Sequence, residues 1–297
     1  MVPFTGLSAF PVTPIDAGGK VDTDHLQRLV TRLAASEVQS IGVLGSTGGY
    51  AYLSSDERAR ALSAAVEAAG PTPVLAGIGA LTTRDVLRHA EDAAQAGAAA
   101  LLLAPMSYLP LTDDDVFALF QETARATELP ICVYNNPGTT HFDVSEELLT
   151  RLAAIRGVGA VKNPSAGDIA GSIERLRPTV PGGFSLGHSG DATIASALKA
   201  GSDAWYSVLA GTCPDLCVRM WSNRGDGRAL DALNRNLDPL WALFARHGGI
   251  RVIYEATNLM GLGPVALPRP LLPLPIDVRA EIAAALERAN ITMEAAA

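Results

Sequence analysis

The chain has 297 residues, of which 48% are hydrophobic and 18% are charged. This composition excludes a disordered chain and allows either one large α/β barrel or two smaller domains. The formal net charge of −8 argues against a nucleic-acid partner and against binding to an anionic membrane surface.

Short apolar segments along the chain predict buried strands. Most of them are continuous rather than alternating, which is typical of parallel strands covered on both faces. In chain order they occupy residues 6–12, 40–44, 73–78, 98–104, 130–134, 157–161, 184–186 and 204–208. Amphipathic segments lie between them, and Ser54 with Glu57, Thr82 and Thr112 predict helix starts.

Eight strand–helix units within about 225 residues predict a TIM (β/α)8 barrel. An open, doubly wound sheet is the structural alternative, but the G-x-G-x-x-G fingerprint is missing after the first strand. Beyond residue 224 the pattern is helical, with a proline-rich connection at 264–275. We therefore expect a barrel at residues 1–223 and a C-terminal helical extension at residues 224–297.

The ends and the cysteines bear on location. The first residues lack the basic segment of a signal peptide, so we expect none there. No run approaches the roughly 18 apolar residues that a membrane helix needs. Cys132, Cys213 and Cys217 are too few for a disulfide framework and lack the spacing of a zinc site. We expect a cytoplasmic protein without a membrane partner.

Three lysines stand among the 23 basic residues, and one of them is unusual. Lys20 lies in a turn and Lys199 near a helix end, whereas Lys162 stands directly at the end of the sixth predicted strand. The carboxyl ends of barrel strands hold the active sites of this fold. Burial there disfavours a charged amine, and a neutral amine attacks carbonyl groups to form a Schiff base. The alternative is a lysine that extends to solvent or pairs with a carboxylate.

Two neighbouring strand ends carry polar groups. The second strand leads into Gly45-Ser46-Thr47-Gly48-Gly49, whose backbone N–H groups and hydroxyls suit a carboxylate or phosphate. Tyr134 ends the fifth strand, beside Lys162, where a phenol can transfer protons. The alternative is that the loop is an ordinary turn and that Tyr134 only covers the core. Together with Lys162 they match the needs of a 2-oxo acid.

These motifs resemble the dihydrodipicolinate synthase / N-acetylneuraminate lyase family. The similarity extends over nearly the whole chain, through PVTPI, GSTGG, YNNPG, GAVKNPSAG, HSGDA and LLPLP. It implies a homotetrameric TIM barrel that acts on pyruvate or another 2-oxo acid without a metal or organic cofactor. It also implies that Lys162 is the Schiff-base lysine and that Tyr134 is the proton-transferring tyrosine. In the same way, Ser46 and Thr47 are the two loop hydroxyls, and Thr47 also takes part in the proton relay. Tyr108 is the candidate for a tyrosine that reaches a neighbouring subunit.

The sequence departs from the family pattern at two positions. Gly49 stands where the loop commonly has Glu, and Thr139 stands where true synthases have an Arg that holds the second substrate's carboxylate. Losing that pair costs roughly 1.5–3 kcal/mol. We therefore expect a substrate other than that of lysine biosynthesis, one that meets Thr139 and the region of Gly49.

The leading hypothesis is a Schiff-base aldolase or dehydratase that acts on a 2-oxo or 2-keto-3-deoxy sugar acid. Three alternatives remain. One is the synthase proper, and one is a metal-dependent class II lyase that uses His188 and His141. The third is a non-catalytic 2-oxo acid binder on the same barrel.

Overall fold

The computed structural model describes residues 4–291 and contains a closed barrel of parallel strands. The strands follow one another around the barrel in chain order, and the first pairs with the last. They are β1 Gly6–Ala9, β2 Ser40–Val43, β3 Val74–Gly77, β4 Ala100–Leu103, β5 Ile131–Tyr134, β6 Val158–Pro164, β7 Ser185–Ser189 and β8 Ala204–Ser207. The predicted TIM barrel is confirmed.

Helices connect the strands and continue beyond the last of them. They are α1 Thr23–Ala34, α2 Ser55–Ala69, α3 Thr83–Ala96, α4 Asp113–Ala126, α5 Pro137–Thr140, α6 Glu146–Ala153, α7 Ile169–Leu176, α8 Ile194–Lys199, α9 Pro214–Ser222, α10 Gly227–Arg235, α11 Asp238–His247, α12 Gly249–Leu259 and α13 Ile276–Arg288. In the part of the chain that is described, no helix has the length and apolar character needed to cross a membrane.

The predicted helix starts are confirmed, with one difference in detail. Ser54, Thr82 and Thr112 accept hydrogen bonds from the first turns of α2, α3 and α4. Thr112 forms a reciprocal capping box. Ser54 does not, because the carboxylate of Glu57 instead accepts a hydrogen bond from the backbone N–H of Val21 at 2.6 Å. Glu57 thus fastens the loop that precedes α1 to the start of α2.

Strands β6 and β7 extend beyond their predicted ends. The prediction stopped at Val161 and Leu186, where the apolar runs end. Backbone pairing nevertheless continues, with Lys162 beside Gly187 and Pro164 beside Ser189. Lys162 therefore lies inside β6 rather than after it, and its backbone is fixed by strands on both sides.

Two apolar layers fix the direction of the side chains on β6. Successive strand residues point to opposite faces. Ala160 belongs to a cluster inside the barrel, together with Phe4, Phe10, Leu102 and Tyr206. Val161 belongs to the larger layer between the barrel and its helices. Lys162 shares the alternation of Ala160, so its side chain points into the barrel.

The C-terminal segment is helical as predicted, but it is more divided. The part of it before residue 248 forms two helices, α10 and α11, which meet at Leu237. Leu230, Trp241 and Ile282 are buried in the same apolar layer as the outer faces of the strands. The division at residues 223 and 224 remains a proposal, and residues 1–3 and 292–297 of the two predicted segments lie outside the described residues.

Candidate active site

Lys162 lies in an apolar, aromatic surrounding at the mouth of the barrel. The residue is 4% exposed. Its Nζ lies 3.9 Å from the ring centre of Tyr134, 4.3 Å from that of Phe10 and 5.9 Å from that of Tyr206. Within residues 4–291, no carboxylate lies close enough to Lys162 to form an ion pair. The alternative of a solvated or ion-paired lysine therefore does not describe this side chain.

Tyr134 lies beside Lys162, as the sequence predicts. The two residues are paired across β5 and β6. The backbone N–H of the next residue, Asn135, donates a hydrogen bond to the carbonyl of Lys162 at 3.1 Å, which ties the ends of the two strands together. The amine therefore lies over the face of the Tyr134 ring, on the same residue whose hydroxyl is the candidate for proton transfer.

The Tyr134 hydroxyl belongs to a triangle of three polar groups. It lies 3.2 Å from Ser46 Oγ, and Asn136 Nδ2 donates to it at 3.0 Å. The third side of the triangle is the contact of Asn136 Nδ2 with Ser46 Oγ, at 3.3 Å. The loops after β2 and β5 therefore meet through these side chains, and Tyr134 is held by groups from both.

Thr47 is buried next to this triangle but is not part of it. The described residues include no hydrogen bond between Thr47 and Tyr134, whereas the adjacent Ser46 makes one. The loop hydroxyl in direct contact with the phenol is therefore that of Ser46. The relay role expected for Thr47 stays a prediction.

The backbone of the Ser46 loop is shaped by the neighbouring strand. Leu44, the last residue before the loop, has a φ of 58°, which few residues other than glycine adopt. Its carbonyl oxygen would lie 1.9 Å from a Cβ placed on Gly77 of β3. Only glycine at position 77 leaves room for this turn. The direction in which the loop leaves β2 therefore depends on a residue of β3.

Three further predicted site residues make other contacts or are exposed. Gly49 has a φ of 63°, and a Cβ there would lie 3.3 Å from Pro268 of the C-terminal segment. Thr139 is exposed in α5, where its hydroxyl donates to the carbonyl of Asn136 at 3.3 Å. Tyr108 is 92% exposed in the loop between β4 and α4. In a single chain, none of their side chains belongs to the triangle around Tyr134.

Comparison with known proteins identifies the family of the chain. Residues 3–289 match the family described as dihydrodipicolinate synthetase. The chain belongs to the dihydrodipicolinate synthetase family. It is 33% identical over 296 residues to a 4-hydroxy-tetrahydrodipicolinate synthase of Azoarcus sp. strain BH72, covering 97% of this chain and 99% of that protein.

Solved structures of the dihydrodipicolinate synthetase family have the same fold. A dihydrodipicolinate synthase from Agrobacterium tumefaciens is 46% identical, with a TM-score of 0.94 over 97% of this chain and 98% of that chain. A chloride-inhibited synthase from Acinetobacter baumannii, complexed with pyruvate, is 27% identical, with a TM-score of 0.89 over 97% and 100% of the two chains. The family and the lyase class predicted from the sequence are thereby confirmed.

The two histidines considered for a metal-dependent class II lyase lie in different surroundings. The Nδ1 of His188 lies 2.8 Å from Ser202 Oγ, and burial lowers the pKa of His188 to about 4, against the opposing effect of Asp203. His141 is exposed at the end of α5. Among residues 4–291, no group of three or more His, Cys, Asp or Glu side chains is placed to hold a metal ion.

Sequence reasoning missed two polar residues of this family member. Asn136 was given no role of its own, and it lies in Asn-Asn-Pro-Gly, a sequence typical of turns. Asp191 follows β7 and is buried. It accepts hydrogen bonds from Trp205 Nε1 at 2.8 Å, Ser207 Oγ at 3.2 Å and the Leu209 N–H at 2.7 Å. Burial raises the pKa of Asp191, and the three hydrogen bonds oppose that rise. The available signal was an acidic residue in His-Ser-Gly-Asp-Ala, shortly after the seventh predicted strand.

Proposed function

We propose that this protein is a class I lyase that binds a 2-oxo acid as an imine on Lys162. The observation that carries this proposal is a buried amine in contact with a phenol ring, with no carboxylate of residues 4–291 paired to it. Lysine, unlike arginine, can attack a carbonyl carbon and form an imine. The surrounding rings exclude water, and their faces attract the positive charge of an iminium ion.

The reaction begins with attack of the neutral Nζ on the carbonyl carbon of the 2-oxo acid. The carbinolamine that forms loses water and becomes an iminium ion. Loss of a proton from the neighbouring carbon gives an enamine, which forms a carbon–carbon bond with an aldehyde, or the same steps run in reverse. Water then hydrolyses the imine and restores the amine. Tyr134 transfers protons to and from the reacting atoms, and Ser46 exchanges protons with Tyr134.

The substrate carboxylate binds at the loop after β2 in this proposal. The loop offers backbone N–H groups and the hydroxyls of Ser46 and Thr47, which suit an anion. Ser46 Oγ already lies 3.2 Å from the Tyr134 hydroxyl. A carboxylate held here would place the adjacent carbonyl carbon on the side of the loop that faces Lys162.

The residue at position 139 bears on the second substrate. Thr139 offers a neutral hydroxyl where a synthase acting in lysine biosynthesis has an arginine. This favours a distal group that is neutral and hydroxylated, such as that of a 2-keto-3-deoxy sugar acid. The second candidate is the 4-hydroxy-tetrahydrodipicolinate synthase reaction, which is favoured by the names of relatives at about one-third identity.

We also propose a homotetramer in which Tyr108 approaches a neighbouring subunit's site. Tyr108 and Leu109 are 92% and 69% exposed on the loop between β4 and α4, and Leu81 is 63% exposed on the preceding loop. Large exposed apolar side chains on adjacent loops favour an interface. A cytoplasmic location is supported by Cys132, Cys213 and Cys217, which are free and buried, as expected in a reducing compartment.

Borohydride trapping with pyruvate tests the proposed chemistry. Reduction of the imine should leave one stable adduct, and peptide mass spectrometry should locate it on Lys162. Lys162→Ala should abolish both the adduct and turnover. Lys199→Ala is the control, because Lys199 is a surface residue paired with Asp231 at 2.8 Å, and it should retain both. An unmodified Lys162, under conditions that trap another class I aldolase, refutes the proposal.

A substrate screen separates the remaining alternatives. Pyruvate release from 2-keto-3-deoxy sugar acids should be followed beside dehydratase products and the synthase reaction. Activity lost in a chelator and restored by a divalent ion would favour the class II lyase. Ligand affinity that is lost in Lys162→Ala, with no turnover of any substrate by the wild type, would favour a non-catalytic binder.

A further inference from the structure

Asn136 does not use its side chain as an asparagine at a helix start usually does. It is the N-cap of α5, where the side-chain oxygen normally accepts a hydrogen bond from the first turn. Here the side chain makes no capping hydrogen bond. The N–H groups of Thr139 and Thr140 bond instead to the backbone carbonyl of Asn136, both at 3.0 Å. The amide of Asn136 is therefore free for the site.

The neighbouring Asn135 has a different task. Its Nδ2 donates to Asp143 Oδ1 at 3.1 Å, and its Oδ1 accepts from the Val144 N–H at 3.1 Å. Asn135 thus holds the segment between α5 and α6 against the end of β5. The two adjacent asparagines point in different directions, and only the Nδ2 of Asn136 contacts Tyr134 and Ser46.

The triangle of Asn136, Tyr134 and Ser46 limits where protons can lie. The amide NH2 group supplies two protons, one to each hydroxyl oxygen, and it cannot accept one. The two hydroxyls are 3.2 Å apart and bring one proton each. One of these protons fills the contact between the hydroxyls. The other has no acceptor within the triangle and points away from it.

We infer that Asn136 is a positioning residue for proton transfer by Tyr134. This inference rests on the proposed function of Lys162 and Tyr134. By donating to both hydroxyl oxygens, the Asn136 amide keeps one hydroxyl proton available to a substrate bound on Lys162. The same N–H group stabilises the tyrosine oxygen when that proton has been transferred, because hydrogen bonds to a charged acceptor are the stronger ones.

Two substitutions at this position distinguish proton supply from a purely structural role. Asn136→Ala removes the donor and leaves the two hydroxyls. Asn136→Asp retains the shape but replaces the donor by a carboxylate, which accepts both hydroxyl protons and leaves neither for the substrate. A structural role predicts that Asp, the closer match in shape, is tolerated better than Ala. Proton supply predicts the reverse order.

Exchange of the pyruvate methyl hydrogens in D2O measures this transfer without a second substrate. NMR follows the exchange. At neutral pH, kcat for exchange should fall about 10-fold in Asn136→Ala and about 100-fold in Asn136→Asp, within the range of general acid–base effects. KM for pyruvate should change less than about 3-fold in both. The loss in Asn136→Asp should shrink as the pH falls, because a protonated carboxyl again donates a proton. Asn236→Ala, at an exposed position, is the control.

Borohydride trapping at equilibrium accompanies these rates. All variants should give the wild-type amount of adduct at saturating pyruvate, and far-UV circular dichroism should confirm folding. Normal adduct with wild-type exchange in both variants, or faster exchange in Asn136→Asp than in Asn136→Ala, overturns the role of Asn136 alone. Absence of an adduct in the wild type overturns the proposed function, and this inference with it.

Discussion

Replacement of Asp191 by asparagine should destabilise the barrel where β7 meets β8. The Asp191 carboxylate accepts three hydrogen bonds, from Trp205 on Oδ1 and from Ser207 and the Leu209 N–H on Oδ2. Asparagine has almost the same shape but only one oxygen. Its NH2 group must therefore face either the Trp205 indole N–H or the Leu209 N–H, and both are donors.

The size of the loss in stability follows from the one N–H donor that is left without an acceptor. A buried donor without a partner costs about 1–3 kcal/mol. The Ser207 hydroxyl can rotate to accept from the new amide, so it adds little. We therefore expect the free energy of unfolding to fall by about 1–3 kcal/mol, a large part of the 5–15 kcal/mol typical of a domain.

Thermal and urea unfolding, followed by circular dichroism, measure this loss. The control is Asp231→Asn, because Asp231 pairs with Lys199 on the surface at 2.8 Å. That exposed pair should contribute no more than about 1 kcal/mol. If Asp191→Asn is no less stable than Asp231→Asn, the three hydrogen bonds do not hold the strand ends together and the reasoning is wrong.

Two further predictions concern Tyr134 and His188. Tyr134→Phe keeps the ring against Lys162 but removes the hydroxyl, so we expect the rate of pyruvate hydrogen exchange to fall by about 10²–10⁴-fold with the trapped adduct retained; a rate within a factor of three of the wild type would contradict a proton-transfer role. Burial lowers the pKa of His188 from 6.5 to about 4. On acidification, this side chain therefore stays neutral in the folded protein but takes up a proton in the unfolded chain. The contribution of His188 to the free energy of unfolding is therefore present above pH 6.5 and is lost as the pH falls toward 4, with about 2 kcal/mol lost by pH 5. His188→Asn should lose less between pH 7 and pH 5 in urea unfolding, and an unchanged loss would exclude His188 as its source.

The fold was predictable because buried parallel strands are continuous apolar segments. The same criterion placed the end of β6 at Val161, since it stops at the first polar residue. Backbone hydrogen bonding has no such limit and continues to Pro164. In β6, the strand end that carries Lys162 is therefore the part that the apolar pattern truncates.

The central pair of the site was predictable for a similar reason. Lys162 and Tyr134 stand at the ends of consecutive strands, and barrel topology makes such positions neighbours. Asn136 was not, because the direction of a turn side chain depends on backbone angles that composition does not fix. The choice of Ser46 over Thr47 as the partner of Tyr134 depends on the same local geometry.

The contact between Gly77 and the carbonyl of Leu44 has a consequence for protein engineering. The loop that presents Ser46 is not a module that can be moved by itself, because its course requires an empty volume in the next strand. A loop transplanted into another barrel would need the glycine with it. Conversely, libraries that vary only the loop sample sequences around a fixed exit direction. Alanine at position 77 would redirect the loop without changing any residue in it.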